Sequence, residues 1–547
     1  TSLVHRHESL RTIFPVVAGT PRQQILDADQ LSIAFEYRDL EGDPKAEEIA
    51  HELIRIDRES PFNLYKGPLM RATLIRFSAK HFAFLLNMHH IISDAWSMGV
   101  FFDELLLHIS GRVEKLNPVP LQYKDYTIWQ HDQMADGPMA QHKAYWLDQF
   151  SEEIPVLEFP TDFSRPQLAD PAGATLAIPL SQKVKEQLVR LSNQAGSTLF
   201  ITFQAIVKLM LYRYTGQRDI VLGTPVSGRD HSDLKDQIGF YVNTLALRTH
   251  LDSESTFLDL LEQVKEETFK AYDHQQYPFD ALVDELELER EMSRSPLFDV
   301  MFSLFQDGKD QSVPPVDRFI EENATAKFDM TISVAEYADG LVVSVNYATS
   351  LYKPERIQYL LAHLKSLTES LLENPELPLR EYEYLTPTER KKLLEDFNET
   401  QVAYPLKPIP ELFVDQVRRT PDEIAVVYND FTLTYQELDE YSNQLAHYLR
   451  EVHRIGRQDF VGLMLRPSQW ASIAIFGILK AGGAYVPIDP DSPKKRQQYI
   501  IDDSGLQLIL GEDEAYLDFA DVTGIVLDET ILKGHAVKQP SFCNELT

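Results

Sequence analysis

The run His81-Phe-Ala-Phe-Leu-Leu-Asn-Met-His-His90 is apolar over a strand's length and reads as a buried strand. From Trp96 to His108 apolar residues recur at Val100, Phe101, Leu105 and Leu106, the spacing of one helix face. Residues 181–194 and 199–214 repeat that helical pattern, whereas Ile220–Val226 and Leu341–Tyr347 read as strands. Nearer the C-terminus, Thr432-Leu-Thr-Tyr435 leads into a helix over 436–450. A strand from Phe460, a helix over 470–481 and a strand from Ala484 follow, with Gly482-Gly483 stopping the helix. Strands alternating with helices predict an α/β fold with a mostly parallel sheet in this last part.

Proline marks the joints. Prolines 155, 160, 166 and 171 indicate a crossover between two α/β segments. Prolines 375, 378, 387, 405, 408 and 410 surround a charged helix, Pro387 to Phe397, and form a linker signature. The chain therefore divides into residues 1–160, 161–380, a linker at 381–410, and 411–547. A length of 547 residues suits several domains.

Charge narrows the partners. With 84 acidic and 52 basic residues the formal net charge is −32, which disfavours nucleic acid and anionic membrane surfaces. The lone cysteine, Cys543, excludes an internal disulfide and a multi-cysteine metal site, and fits a cytoplasmic protein. The first residues lack a basic stretch followed by an apolar core and read as the middle of a fold, so the natural N-terminus is expected further upstream. The apolar stretch Ala471–Leu479 is far short of the roughly 20 residues that a membrane span needs.

The sharpest chemical feature is His89-His90-Ile-Ile-Ser-Asp94-Ala-Trp96-Ser97. Two histidines close a strand, so one ring can face a channel while its neighbour packs inward. A neutral imidazole can hold or accept the proton of an attacking amine. The following helix N-terminus offers partial positive charge to a developing oxyanion. Asp94 can anchor an arginine or backbone amides, and either it or Ser93 is equally a natural N-cap. Trp96, read by itself, suits a core better than a substrate contact.

The run His89-His90-x-x-x-Asp94 resembles the HHxxxDG signature of nonribosomal condensation domains and chloramphenicol acetyltransferase-like enzymes. Further motifs follow the condensation-domain order. Arg6-His-Glu-Ser-Leu-Arg-Thr-Ile-Phe14 resembles RHExLRTxF, and Tyr123-Lys-Asp-Tyr-Thr-Ile-Trp129 resembles YxDYAxW. Ile238–Arg248 resembles IGxFVNTxxxR. His274–Asp280 resembles HQxYPFE with Asp for the final Glu, and Arg290–Leu297 resembles RDxSRNPL. The family's first motif, an AQxRLW pattern, is absent. Behind the linker, Leu433–Leu438 and Leu479–Asp489 resemble the first two adenylation-domain motifs, while the TSGTTGxPKG phosphate loop is not reached.

The resemblance implies a nonribosomal peptide synthetase fragment. Its fold would be two chloramphenicol acetyltransferase-like lobes in a V-shaped pseudo-dimer, plus a partial α/β adenylate-forming domain. The activity would join a donor aminoacyl or peptidyl thioester to an acceptor aminoacyl thioester. Both would arrive on the phosphopantetheine arms of carrier proteins, beside adjacent synthetase domains. No cofactor would be bound by the condensation part, and ATP and Mg2+ would serve only a complete adenylation domain, so the fragment is expected to be inactive in adenylation.

By the same resemblance His90 contacts the attacking amine and His89 is the structural member of the pair. Asp94 pairs with an arginine, for which Arg11 and Arg6 are the candidates. Asn243 helps fix the contact between the lobes, and Ala95, Trp96 and Ser97 line the substrate tunnel. Ala95 replaces the family glycine, which matters if that backbone takes a positive φ. Four alternatives share parts of the pattern: an epimerisation domain, a cyclisation domain, a free acetyltransferase using coenzyme A, and a non-catalytic condensation-like recruitment module. The downstream adenylation motifs argue against the first and third, and retention of His89, His90 and Asp94 against the second and fourth.

Overall fold

The computed structural model describes residues 2–30, 34–135, 137, 139–288, 291–306 and 325–541. Arg290, which begins the RDxSRNPL-like motif, and Cys543 lie outside the described residues. The chain forms two compact units, residues 1–399 and 400–547.

Beside two short two-stranded ladders near its start, the first unit holds two larger sheets. The smaller has three strands in the order Ala34–Asp39, Met70–Ser78, His81–Met88. The first pair is parallel, with helix Ala46–Glu59 between its strands in sequence, and the second is antiparallel. His81–Met88 is an edge strand and is half-buried rather than buried as its composition suggests. It alternates instead: Phe84, Leu86 and Met88 share one face and pack on a core of Leu10, Leu69, Met70, Ile92 and Phe101. Ile238, distant in sequence, completes that core.

The larger sheet has six strands in the order Asn243–His250, Asp219–Val226, Val300–Gln306, Met330–Tyr337, Gly340–Ala348, Gly173–Ser181. Strand Val300–Gln306 runs parallel to both neighbours, and the remaining pairs are antiparallel. Alternation along Asp219–Val226 splits the packing between two clusters. Ile220 and Leu222 join the large core with helices Leu199–Thr215 and Pro354–Glu373, while Val221 joins a second cluster with Leu245 and Leu247. No single helix among the described residues is long and apolar enough to cross a membrane. The apolar helix Leu199–Thr215 is buried in the large core.

Helix Ala140–Gln149 precedes the proline-rich crossover yet packs on the larger sheet. Trp146 is buried in the second cluster and its Nε1 donates to His274 O at 3.0 Å. In the region read as a linker, the charged helix ends at Leu394 rather than Phe397. A Thr386–Glu389 capping box starts it, and His363 Nε2 meets Glu389 at 2.9 Å, which docks it on helix Pro354–Glu373.

The second unit carries a four-stranded parallel sheet in the order Ala484–Pro487, Phe460–Met464, Leu508–Gly511, Thr523–Val526. Helices Tyr435–His453 and Gln469–Ala481 pack together over it. The Thr434-x-x-Glu437 sequence is a reciprocal capping box, which explains locally why a helix starts there. Lys480 is fully buried between these helices, bonded to Asp439 Oδ1 at 2.7 Å and Ser442 Oγ at 2.8 Å, and burial pulls its ammonium down to about 8.

Trp146→Ala is expected to destabilise the first unit by about 3–5 kcal/mol, the usual cost of emptying a buried tryptophan site. A urea titration should show the first unit melting earlier while the second unit's transition stays in place.

A candidate active site between the two halves of the first unit

The strand ends at Met88, and His90 opens a short turn, His90–Ile92. Simple strand alternation therefore does not continue through the histidines, but their rings still enter different surroundings. His89 is half-buried and meets Phe62 edge-on at 5.9 Å, and its Nδ1 accepts from Ile91 N at 3.0 Å. Burial, and then the neighbouring His90, push the His89 imidazole below its ordinary pKa, in keeping with an accepting nitrogen. His90 is exposed, with its ring edge-on to Phe240 at 5.0 Å. Phe240 belongs to the second half, so His90 stands where the halves meet.

Asp94 caps helix Ala95–Ile109, its Oδ1 accepting from Ser97 N at 2.7 Å. Its Oδ2 accepts from Tyr241 N at 2.9 Å. Arg229 Nη2 approaches the two carboxylate oxygens at 3.3 and 3.4 Å, and both side chains are almost wholly buried. Arg229 also donates to Leu234 O, to Gln237 O at 2.9 Å and to Ser97 Oγ at 2.8 Å. Its guanidinium lies 4.1 Å from the Tyr241 ring centroid. Burial pulls the Arg229 pKa down, and Asp94 opposes that pull. Asp94 answers the helix N-terminal charge, and His90 is left as the exposed titratable group of the motif.

Two expectations about supporting residues are corrected. Arg6 and Arg11 do not pair with Asp94. Arg6 Nε binds Glu104 Oε1 at 2.9 Å, beside His7 Nε2 on the other oxygen at 2.8 Å. Arg11 donates to Leu26 O at 2.5 Å and lies 3.7 Å from Glu8. The reason is distance: the N-terminal segment reaches the helix at Glu104, about 15 Å along it from Asp94 at 1.5 Å per residue. Arg229 takes the role instead. It is 135 positions from Asp94 in sequence, and nothing local in the sequence marks it beyond Gly228 after a strand.

Asn243 holds a loop of its own half. Its Nδ2 donates to Gln275 O at 2.8 Å and Tyr277 O at 2.7 Å, while Oδ1 accepts from Phe279 N at 3.0 Å. The three tunnel candidates also separate. Ala95 is exposed in ordinary helical backbone, with no positive φ. Trp96 is 48% exposed, not core, and its Nε1 donates across the halves to Lys235 O at 2.9 Å. Ser97 is fully buried, so it lines no tunnel; its Oγ donates to Gly239 O at 2.8 Å and accepts from Gly239 N at 3.1 Å.

Two glycines make this lock possible. A Cβ on Gly239 would come within 2.5 Å of the Tyr123 ring. Gly228 has φ +63, and its Cβ would meet Tyr241 O at 2.0 Å.

A cavity of about 840 Å³ opens beside the lock. Tyr123, Tyr126 and Trp129 of helix Tyr123–Ala135 line one side, and Phe240, Tyr241, Asn243 and Gln276 the other. Tyr123 OH donates to Phe240 O at 2.8 Å, fixing the wall against which His90 packs. Three motifs that lie far apart in sequence thus build one chamber. Among the described residues no group of three or more His, Cys, Asp and Glu side chains is placed to hold a metal ion.

This mixed α/β unit, with an exposed histidine packed on Phe240, one wall of a chamber built by both halves, is of the acyltransferase-like class. The condensation domain model matches residues 1–394, and the AMP-binding enzyme model residues 413–542. The chain therefore belongs to the condensation-domain family and carries the condensation-then-adenylation order of nonribosomal peptide synthetases.

It is 38% identical over 519 residues to bacitracin synthase 2 of Bacillus licheniformis, covering 94% of this chain and 19% of the relative. It is 38% identical over 517 residues to tyrocidine synthase 3 of Brevibacillus parabrevis, covering 93% of this chain and 8% of the relative. The chain thus spans a fifth or less of the length of these relatives. Its fold matches holo-AB3403, a four-domain nonribosomal peptide synthetase, with a TM-score of 0.83 at 24% identity over 98% of this chain and 41% of that one. It also matches the X-domain from teicoplanin biosynthesis, with a TM-score of 0.62 at 25% identity over 70% of this chain and 88% of that one.

Arg229→Ala, or Asp94→Ala, is expected to cost about 3–5 kcal/mol by leaving a buried charge unpaired, whereas the double variant should cost much less than the sum. Denaturation of the four proteins in a double-mutant cycle reads the coupling directly. His89 gives a pH signature. Because the fold favours its neutral form, the unfolded chain takes up the proton first as pH falls below about 6.5, and stability drops. Stability measured from pH 8 to 5 should fall less steeply in His89→Asn, which keeps an acceptor for Ile91 N.

Proposed function

We propose that the first unit forms an amide bond between two acyl groups held as thioesters on carrier proteins. The acceptor's α-amine attacks the donor's thioester carbonyl. A C–N bond forms, the C–S bond breaks, the amine gives up a proton and the departing thiolate takes one. His90 holds or receives the amine's proton, and which of these it does depends on how far the amine, with a pKa of about 8, is already neutral. His89, neutral and bonded to Ile91 N, sets the turn that aims His90. Asp94, Arg229 and Ser97 position that turn against the loop ending at Asn243. The chamber would hold both tethered groups in register, and that orientation supplies much of the rate.

One observation carries the reading: exposed His90 lies edge-on to Phe240, which is itself a wall of the aromatic chamber. The phosphopantetheine-bearing carriers and the adjacent synthetase domains belong to the same proposal. So does ATP use with Mg2+ by the second unit, as part of a longer protein that supplies a phosphate-binding loop.

The test mixes the chain with two carrier proteins loaded with candidate aminoacyl groups and follows dipeptidyl-carrier by intact-protein mass spectrometry. Product is expected, and His90→Ala should lower its rate by about 10²–10⁴-fold, the usual contribution of a positioned acid–base group. Ala95→Gly should leave the rate unchanged, since Ala95 sits in ordinary helical backbone. A folded chain that binds carriers and forms no product with any pair would instead favour a recruitment module. Exchange of an α-hydrogen without product would favour epimerisation.

A further inference from the structure

Helix Ala140–Gln149 meets the stretch that follows helix Phe257–Asp273 through two histidines. His142 Nδ1 and His274 Nδ1 stand 2.9 Å apart, with ring centroids at 5.0 Å and planes at 72°. Both rings are half-buried. Tyr145, on the same helix as His142, stacks on the His274 ring at 4.2 Å between centroids. Trp146 Nε1 holds the His274 carbonyl. One helix thus grips this stretch from outside. From the other side Asn243 holds the carbonyls of Gln275 and Tyr277. Gln275, Gln276, Pro278 and Phe279 line the aromatic chamber, so a bond that holds His274 also holds a chamber wall.

Two imidazole nitrogens at this distance share one proton. One Nδ1 carries the hydrogen and the other offers its lone pair. The contact survives a first added proton, because a charged ring still donates to a neutral one. A second proton leaves two N–H groups facing each other, each on a cation, and the contact becomes repulsive. Among the described residues no carboxylate forms an ion pair with either ring to offset that charge. Lys143 of the same helix pairs with Glu285 at 2.5 Å, and Tyr277 lies near those two. Glu267 and Asp273 act on Tyr145. Burial, and then His274, hold the His142 imidazole below its ordinary pKa.

We propose that His142 and His274 form a proton-operated latch on the chamber wall, closed while at least one ring is neutral and opened when both are protonated, which frees residues 274–280 from helix Ala140–Gln149. The closed form resists the second proton, whereas the open form takes it at the ordinary histidine value. Closure is therefore complete near pH 8 and is lost as pH falls below about 6.5. The inference concerns the wall itself and does not depend on the amide-forming reading.

The test is hydrogen–deuterium exchange of the whole chain at pH 8 and pH 5, corrected for the intrinsic pH dependence of exchange. The amides of His274, Gln275 and Tyr277 bond to backbone carbonyls nearby. They should exchange about tenfold faster at pH 5, the opening allowed by a second proton resisted by about one pKa unit. Amides of helix Leu199–Thr215, buried in the large core, should change far less. His142→Asn and His274→Asn each leave an amide oxygen that accepts from the remaining Nδ1–H in either charge state, so both should lose the pH step. His142→Leu should exchange fast at both pH values. Should a variant fail to melt cooperatively, the wild-type comparison of the two segments decides. Equal protection of residues 274–277 at both pH values, a rise shared equally by helix Leu199–Thr215, a pH step that persists in a folded asparagine variant, or slow exchange in a folded His142→Leu overturns the proposal.

Discussion

The first unit depends on one buried ion pair. Asp94 starts the helix that follows the histidines, and Arg229 opens the second half's loop; both side chains are buried and each needs the other. A buried pair gains little over well-packed apolar side chains, but leaving one charge alone is severe. The interaction therefore acts on register. The loop's placement satisfies Asp94 Oδ2 with Tyr241 N, Ser97 Oγ with Gly239, and Arg229 with the carbonyls of Leu234 and Gln237 together. Fixing those bonds also fixes where Phe240 meets His90.

The chamber inherits its shape from that register. Gly239 lets the loop press against Tyr123, whose hydroxyl in turn holds Phe240 O. Asn243 then ties the loop after His274 to the sheet, so Gln276 and Phe279 keep their places in the lining. Helix Ala140–Gln149 binds the same loop from outside through Trp146 and His274 O. Aromatic packing and backbone bonds hold the walls, while the His90 imidazole stays exposed.

The second unit is built on a different economy. All its central strands are parallel, so the chain must cross over between them, and the apolar side chains gather in two core clusters. Lys480, inside that core, is tolerated because Asp439 and Ser442 meet its ammonium. Its place in the LKAGGAY segment shows that a charged residue in a family motif need not face solvent or substrate.

The sequence by itself determined the local and the periodic. Helix and strand spacing, the Thr434-x-x-Glu437 box, the order of motifs, and the candidacy of His89, His90 and Asp94 all follow from residues within a few positions of one another. Composition along a strand could not reveal that His81–Met88 lies at a sheet edge, since burial depends on which neighbours arrive. Nor could spacing choose Asp94's partner. Arg6 and Arg11 stand in a neighbouring motif, but Glu104 claims the first, Leu26 and Glu8 hold the second, and Arg229 comes from 135 residues away. Trp96, which by itself reads as core, is 48% exposed, and Ser97, expected in the tunnel, is buried, because a loop from the other half bonds to both. Tertiary structure decided those pairings because a buried charge or hydroxyl takes whichever partner the chain brings within about 3 Å, and sequence distance does not measure that.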